Sequence, residues 1–166
     1  MVMPAQAKKE KKRMIRLTQQ EADMLIAMLK KKLEEQSELE FPSKGGKLQF
    51  KVKGERRTDE FVVNIDRKGI DSKKGTYQGR VKSNNTILMR IDIGDTLVHQ
   101  QPNGSKLCGS HIHIYNEEYG IKGEAIPFDP GNDDLYAICN TFFQKFNIIE
   151  PPIIKQKQQL SLYDLE

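Results

Sequence analysis

Histidine is the residue type whose spacing most strongly suggests chemistry in this chain. The sequence contains three histidines, and His111 and His113 are separated by a single residue in the apolar run SHIHIY. Side chains alternate along a β-strand, so His111, His113 and Tyr115 are predicted to share one face. Ile112 and Ile114 then take the opposite face, which we expect to be the core. The two imidazoles should project away from that core, to solvent or into a concave site.

The third histidine, His99, lies in the segment LVHQQPNGSKLCG between two predicted strands. If this segment folds as a hairpin, His99 comes close to His113 and all three histidines converge. Three imidazoles can hold a metal ion and leave a fourth position open for water. Without a metal, a neutral and a protonated imidazole can act as general base and general acid on a phosphodiester. A pair of surface histidines on a half-exposed strand is the simplest alternative.

From these observations we take His99, His111, His113 and Tyr115 as candidate catalytic residues. We assign no metal ligand and expect no cofactor. Asp92, in the segment LMRIDIG, is a weaker candidate, because a carboxylate beside imidazoles can orient them but no D-x-D or E-x-x-H pattern accompanies it.

A second group of chemically useful residues is the basic segment DRKGIDSKKGTYQGRVK, residues 66–82. In its strand TYQGRVK, the Arg80 guanidinium can hold a phosphate through its planar fork. Tyr77 can stack on a base or pack in the core. A solvated edge strand protected by lysines is the structural alternative. The candidate nucleic-acid-binding residues are Arg67, Lys68, Lys73, Lys74, Tyr77, Gln78, Arg80 and Lys82.

Composition indicates one domain of 166 residues with a formal net charge of +4. We predict a basic, flexible arm over residues 1–16, a single domain over 17–149 and a polar tail over 150–166. The N-terminus carries no apolar signal segment, no apolar run reaches the roughly 20 residues of a membrane span, and the two cysteines lack C-x-x-C spacing. These features favour a cytoplasmic protein without membrane contact. A phosphate-binding glycine-rich loop and a helix-turn-helix are also absent from the sequence.

The periodicity of apolar residues predicts an α+β fold. A capping box at Thr18–Glu21 begins a first helix that should end near Gln36. Lys30, Lys31 and Lys32 lie on its other face, which we expect to be solvated. Short alternating segments separated by turn residues then predict an antiparallel β-meander of about five or six strands. A second helix over residues 133–146 is expected to pack on this sheet.

The order of these motifs resembles a family of small bacterial and prophage proteins of unknown function. The resemblance covers about residues 15–149, and its most specific part is the pattern R-x-D-I, H-x-x-P-N-G and H-I-H-I-Y. It implies a shared pattern made of Arg67, Lys68, Tyr77, Gln78, Arg80, Asp92, His99, His111, His113 and Tyr115. The chain departs from the family at Leu97-Val98 and at Ser110, where proline is usual. The order of aspartate, histidines and phenylalanines is also loosely analogous to the TumE family of toxin–antitoxin toxins.

Three functional hypotheses follow. The first is a toxin-like protein of a bacterial or phage conflict system that acts on RNA through the basic segment and the histidines. The second is a non-enzymatic inhibitor from a phage or mobile element, such as an anti-CRISPR-like protein, that binds a nucleic-acid-processing protein. The third is a metal-dependent hydrolase. The expected partner is nucleic acid, RNA rather than DNA, or such a protein; the oligomeric state stays open, with a homodimer as one option.

Overall fold

The structure is a computed structural model that describes residues 16–69 and 73–156. The predicted arm therefore lies outside the described residues except for Arg16. In chain order the elements are α1 (Gln19–Ala27), β1 (Lys30–Lys32), a 3-10 turn (Glu34–Gln36), β2 (Glu38–Glu40), β3 (Lys47–Lys53), β4 (Glu60–Arg67), β5 (Gly75–Val81), β6 (Ile87–Ile93), β7 (Val98–Gln100), β8 (Lys106–Cys108), β9 (His111–Ile114), β10 (Ala125–Pro127), α2 (Leu135–Lys145), β11 (Ile148–Glu150) and β12 (Ile153–Lys155).

The central element is an eight-stranded mixed sheet in the order β10-β9-β6-β5-β4-β3-β1-β11. The six strands from β10 to β3 are antiparallel, so the α+β class and the antiparallel sheet of about six strands are confirmed. The β7–β8 hairpin leaves this sheet between β6 and β9 and forms its own two-stranded unit. Strands β1 and β11 pair in parallel at the far edge of the sheet.

The first helix begins as predicted but is shorter than predicted. The Thr18 hydroxyl accepts a hydrogen bond from the Glu21 amide at 3.1 Å, which confirms the cap. The helix ends at Ala27, and the predicted end near Gln36 is wrong. Residues 30–32 form β1 instead, because β1 pairs with β3 on one side and β11 on the other. Such pairing between distant segments outweighs a local helical pattern.

The C-terminal segment contributes to the fold beyond residue 149. Strand β11 spans that predicted boundary, and β12 pairs in parallel with β2 through Ile153 and Glu38. The part of the predicted polar tail from 150 to 155 thus takes part in two strand pairings. Within the described residues, no helix is long and apolar enough to cross a membrane.

Helix α2 packs on one face of the sheet, as expected, and buries an aromatic core. Phe142 and Phe146 are fully buried, and their rings stack with centroids 5.6 Å apart. Phe61 of β4 meets the Phe146 ring edge-on at 5.8 Å. Burial of aromatic side chains on this scale supplies most of the stabilisation of a small domain. The opposite face of the sheet is consequently left for polar residues.

Lys30 is buried, although the sequence predicted that it would lie on the solvated face of a helix. Its ammonium group donates hydrogen bonds to the carbonyls of Ile26 at 3.0 Å, Met28 at 2.8 Å and Phe146 at 2.8 Å. It also lies over the Phe146 ring, 4.2 Å from the centroid. These carbonyls belong to the C-terminal ends of both helices, where the helix dipole favours positive charge. Lys30 therefore links α1 to α2.

Lys30 should make the stability of the protein depend on pH. Burial lowers the pKa of Lys30 from 10.5 to about 7. Between pH 7 and pH 10.5 the folded protein binds fewer protons than the unfolded chain, so the free energy of unfolding rises with pH through this window. Below about pH 7 Lys30 is charged in both states, and the folded state bears the full cost of burying that charge. We expect the free energy of unfolding to rise from about pH 7 to about pH 9 in the wild type relative to Lys30→Met, by urea denaturation. Equal pH dependence of the two proteins would contradict this assignment.

Candidate functional site

The register of three neighbouring strands places the candidate polar residues on one face of the sheet. Gln78 of β5 pairs with Arg90 of β6, which pairs with His113 of β9. One row further along, Thr76, Asp92 and His111 pair in the same way. Residues opposite each other in antiparallel strands project to the same side. We call this surface the polar sheet face; it comprises Thr76, Gln78, Arg80, Arg90, Asp92, His111 and His113.

The β7–β8 hairpin brings His99 onto this face. The ring centroid of His99 lies 4.7 Å from that of His113 and 5.6 Å from that of His111, and the last two are 4.8 Å apart. One ring nitrogen from each histidine lies within 4.8 Å of the other two. The predicted convergence of the three histidines is confirmed, and we call this group the three-histidine cluster.

Hydrogen bonds hold the hairpin against strand β10. The Gln101 side chain donates to the Ala125 carbonyl at 2.8 Å and accepts from the Ala125 amide at 2.9 Å. His99 Nε2 lies 3.0 Å from the Gly123 carbonyl oxygen. These contacts fix the position of His99 relative to the two histidines of β9.

Backbone carbonyls also determine which ring nitrogens carry hydrogen. A carbonyl oxygen can only accept, so His99 Nε2 must be the donor to Gly123. His111 Nδ1 likewise donates to the Gly109 carbonyl at 2.8 Å. In the neutral rings, His99 Nδ1 and His111 Nε2 therefore keep their lone pairs. Neither ring nitrogen of His113 has a hydrogen-bond partner.

Asp92 places a negative charge beside the cluster. Its Oδ2 atom lies 3.4 Å from Nε2 of both His111 and His113, an ion-pair distance that exceeds a normal hydrogen bond. Thr76 donates to the other carboxylate oxygen at 3.0 Å, and Arg90 Nε donates to Oδ2 at 3.1 Å. Burial acts to raise the pKa of Asp92, but the contact with His113, the charge of Arg90 and the Thr76 hydroxyl lower it to about 2. Asp92 is therefore ionised at neutral pH.

The histidines of β9 are on the predicted face but are less accessible than predicted. His111 is 4% exposed and His113 is 2% exposed, because the hairpin covers them. Ile112 faces the core as expected, whereas Ile114 is 39% exposed. The prediction for Ile114 is wrong because this residue ends the strand.

Tyr115 does not join the histidines, contrary to the prediction that it would share their face. Strand β9 ends at Ile114, so the alternation of side chains does not extend to the next residue. Tyr115 is 4% exposed within the core cluster, and its hydroxyl donates to the Leu17 carbonyl at 2.7 Å. Its placement indicates a structural role in holding α1.

Two of the eight predicted nucleic-acid-binding residues, Gln78 and Arg80, lie on the polar sheet face. Arg80 also has contacts within the protein: its Nε donates to the Asn64 side chain at 3.2 Å and its Nη1 donates to the Asn85 side chain. Asn64 in turn pairs with Gln78. Lys68, Lys73 and Lys74 flank the β4–β5 connection, at the same end of the sheet as Asp92 and His111.

The remaining three predicted residues have structural contacts. Tyr77 is 1% exposed and donates its hydroxyl hydrogen to the Leu135 carbonyl, so of its two predicted roles it packs in the core and is not available to stack on a base. Arg67 donates to the Pro42 carbonyl at 2.9 Å. Lys82 forms an ion pair with Glu60 at 2.7 Å. All three side chains thus have contacts within the protein, although Arg67 Nε has no hydrogen-bond partner and the Lys82 side chain stays 46% exposed.

Arg90 is a site residue that the sequence reasoning missed. It is the cross-strand neighbour of both Gln78 and His113, and it holds the carboxylate of Asp92. The alternation of Arg90 and Asp92 with isoleucines in LMRIDI was a local signal for this face. Their alignment with the histidines could not be predicted, because the β7–β8 hairpin separates β6 from β9 in the sequence.

Comparison with known proteins identifies a family. No curated protein matches the chain, and no solved structure matches it. The model of a family of unknown function, DUF6978, matches residues 17–148, a range that includes all three histidines and the polar sheet face. The detailed motif pattern and the analogy to TumE toxins remain predictions. The chain therefore belongs to the DUF6978 family, a family of unknown function.

Proposed function

We propose that this protein binds RNA on the polar sheet face and cleaves it beside the three-histidine cluster, as a toxin-like protein of a bacterial or phage conflict system. The observation that carries the proposal is the strand register, which aligns Gln78 with Arg90 and His113 in one row. The side chains that we propose to bind phosphate therefore occupy the same surface as the histidines.

The arginines of this face suit an RNA backbone. Guanidinium groups bind phosphate through paired donors, and the side chain of Arg90 is 32% exposed. Lysines around the β4–β5 connection add positive charge at the same end of the sheet. RNA is favoured over DNA because its 2′-hydroxyl offers both an internal nucleophile and an additional hydrogen-bonding group.

The burial of the histidines limits how the cluster can act. His111 and His113 are almost fully covered, whereas the side chain of Asp92 is 14% exposed and Arg90 is more exposed. A phosphate would therefore contact Arg90 first. The cluster would act through water, through Asp92 or through a bound ion, rather than through an imidazole touching the phosphate.

Binding can be tested with a labelled single-stranded RNA and a DNA of the same sequence, by fluorescence anisotropy at two salt concentrations. We expect Arg80→Ala and Arg90→Ala each to weaken RNA binding by about 10-fold, because each removes a charge-assisted phosphate contact. Arg57→Ala is the matched control, since Arg57 is an exposed arginine in the β3–β4 turn and is not part of the polar sheet face. This turn lies at the opposite end of the sheet from Asp92 and His111. RNA affinity that is unchanged in both test variants would contradict the proposed binding surface.

Cleavage can be measured on the same RNA with denaturing gels. The proposal expects products from the wild type and from Arg57→Ala, with DNA left intact. Absence of cleavage by a purified protein that binds the RNA would overturn the enzymatic part of the proposal.

The burial of His111 and His113 favours one second candidate, a non-enzymatic inhibitor that uses the same face to bind a nucleic-acid-processing protein. A pull-down from the native host with the wild type and with an Arg80→Ala/Arg90→Ala double variant separates the two functions. Nuclease-resistant capture of one protein by the wild type alone, without RNA cleavage, would support the inhibitor.

A further inference from the structure

The three-histidine cluster brings together ring nitrogens whose lone pairs accept no hydrogen bond. His99 and His111 each commit one ring N–H to a backbone carbonyl, which leaves His99 Nδ1 and His111 Nε2 without hydrogen when the rings are neutral. His113 is 2% exposed, and both of its ring nitrogens lack a partner. Buried nitrogens without a partner are unfavourable and need an explanation.

The position of Asp92 makes the buried ring nitrogens still less favourable. Its Oδ2 atom faces the Nε2 atoms of His111 and His113 at 3.4 Å. In a neutral His111 ring, that contact opposes a nitrogen lone pair to a carboxylate oxygen. Protonation relieves one ring at a time, but three imidazolium ions with centroids 4.7–5.6 Å apart would repel one another. A single cation among the rings satisfies all three lone pairs at once.

The distances and the surroundings match a metal site. Zinc–nitrogen bonds of about 2.0 Å in a tetrahedron place neighbouring ligand atoms roughly 3.3 Å apart. The contacts from Asp92 to the two histidines are 3.4 Å, and the three histidine nitrogens lie within 4.8 Å of one another, so shifts of about 1 Å would close the shell. The hydrogen bonds to Gly109 and Gly123 are of the kind that orient metal-binding histidines.

We propose that His99, His111 and His113 bind a divalent transition-metal ion through their inward-facing ring nitrogens, with Asp92 balancing its charge. Imidazole nitrogens suit zinc, copper, iron and nickel, and three histidines with one further ligand are a known zinc-binding arrangement. The inference does not rest on RNA cleavage, because a chain can hold an ion and leave RNA intact. It does exclude free imidazoles as general acid and base, which was one of the alternatives that the sequence left open.

The test uses full-length protein prepared without a histidine tag. We expect elemental analysis, or zinc titration of chelator-stripped protein by calorimetry, to give about one ion per chain. Cobalt(II) should produce the visible absorption of a tetrahedral site. His99→Ala and His113→Ala should each weaken zinc binding by at least about 100-fold, because each removes a direct ligand.

The control is Cys108→Ser, which removes the exposed thiol of strand β8 and should leave zinc binding unchanged. Circular dichroism checks that the histidine variants fold. If a variant fails to fold, zinc protection of the partly exposed His99 of the wild type from diethyl pyrocarbonate gives the same information without substitution. The proposal is wrong if stripped wild type binds no zinc or cobalt, if folded histidine variants bind zinc as tightly as the wild type, or if zinc leaves the modification rate of His99 unchanged.

Discussion

Asp92→Asn is expected to reduce RNA cleavage by at least about 100-fold while RNA binding stays within about twofold. Asparagine has nearly the same shape and can still accept the hydrogen bond from Thr76. It removes the negative charge that lies 3.4 Å from both His111 and His113. The arginines that we propose to contact phosphate are retained, so the loss should fall on the chemical step. Single-turnover cleavage and anisotropy on the same RNA measure the two effects separately.

Thr76→Val is the matched control for Asp92→Asn. Valine preserves the shape of the threonine side chain and removes one hydrogen bond to the carboxylate. We expect only a several-fold loss of cleavage, because the charge remains and Arg90 still holds it. Full activity of Asp92→Asn would show that this carboxylate takes no part in the reaction. A parallel loss of RNA binding would indicate a structural role instead.

Gly79→Ala is expected to destabilise the protein by about 2–3 kcal/mol, a large effect for one methyl group. A Cβ atom at this position would lie 2.6 Å from two carbons of the Phe146 ring. Phe146 cannot retreat easily, because it is fully buried, stacks on Phe142 and lies beneath the Lys30 ammonium. Urea denaturation gives the change in the free energy of unfolding.

The clash can be verified with a double-mutant cycle. Phe146→Leu removes the ring atoms that the new methyl group would meet, so the double variant should be less destabilised than the sum of the single variants. Gly69→Ala is the control, because a Cβ atom there would have its nearest contact at 3.6 Å. We expect its effect to stay within about 0.5 kcal/mol. Additive effects of Gly79→Ala and Phe146→Leu would show that the two positions are not in steric conflict.

The central part of the fold could be predicted because its signals are local. Alternation of apolar and polar residues along β3 to β6 and the cap at Thr18 identified the antiparallel sheet and the start of α1. The three-residue strands β1, β2, β11 and β12 carry too few residues for a periodic signal. They form because distant segments pair with one another, and the same pairing encloses Lys30, which local reasoning assigned to solvent.

The sequence by itself determined which residue types the candidate site could contain: the three histidines and the basic segment. It also showed that a segment of hairpin length, which carries His99, separates Asp92 from His111 and His113. Only the tertiary structure decided which of these residues meet. Strand register aligned His113 with Arg90 and Gln78. The β7–β8 hairpin placed His99 beside His113 and covered the imidazole rings of β9. Tyr77 and Tyr115 are buried in the core. The physical reason is that residue type and alternation are properties of short segments, whereas register, burial and the direction of lone pairs depend on contacts between segments far apart in the chain.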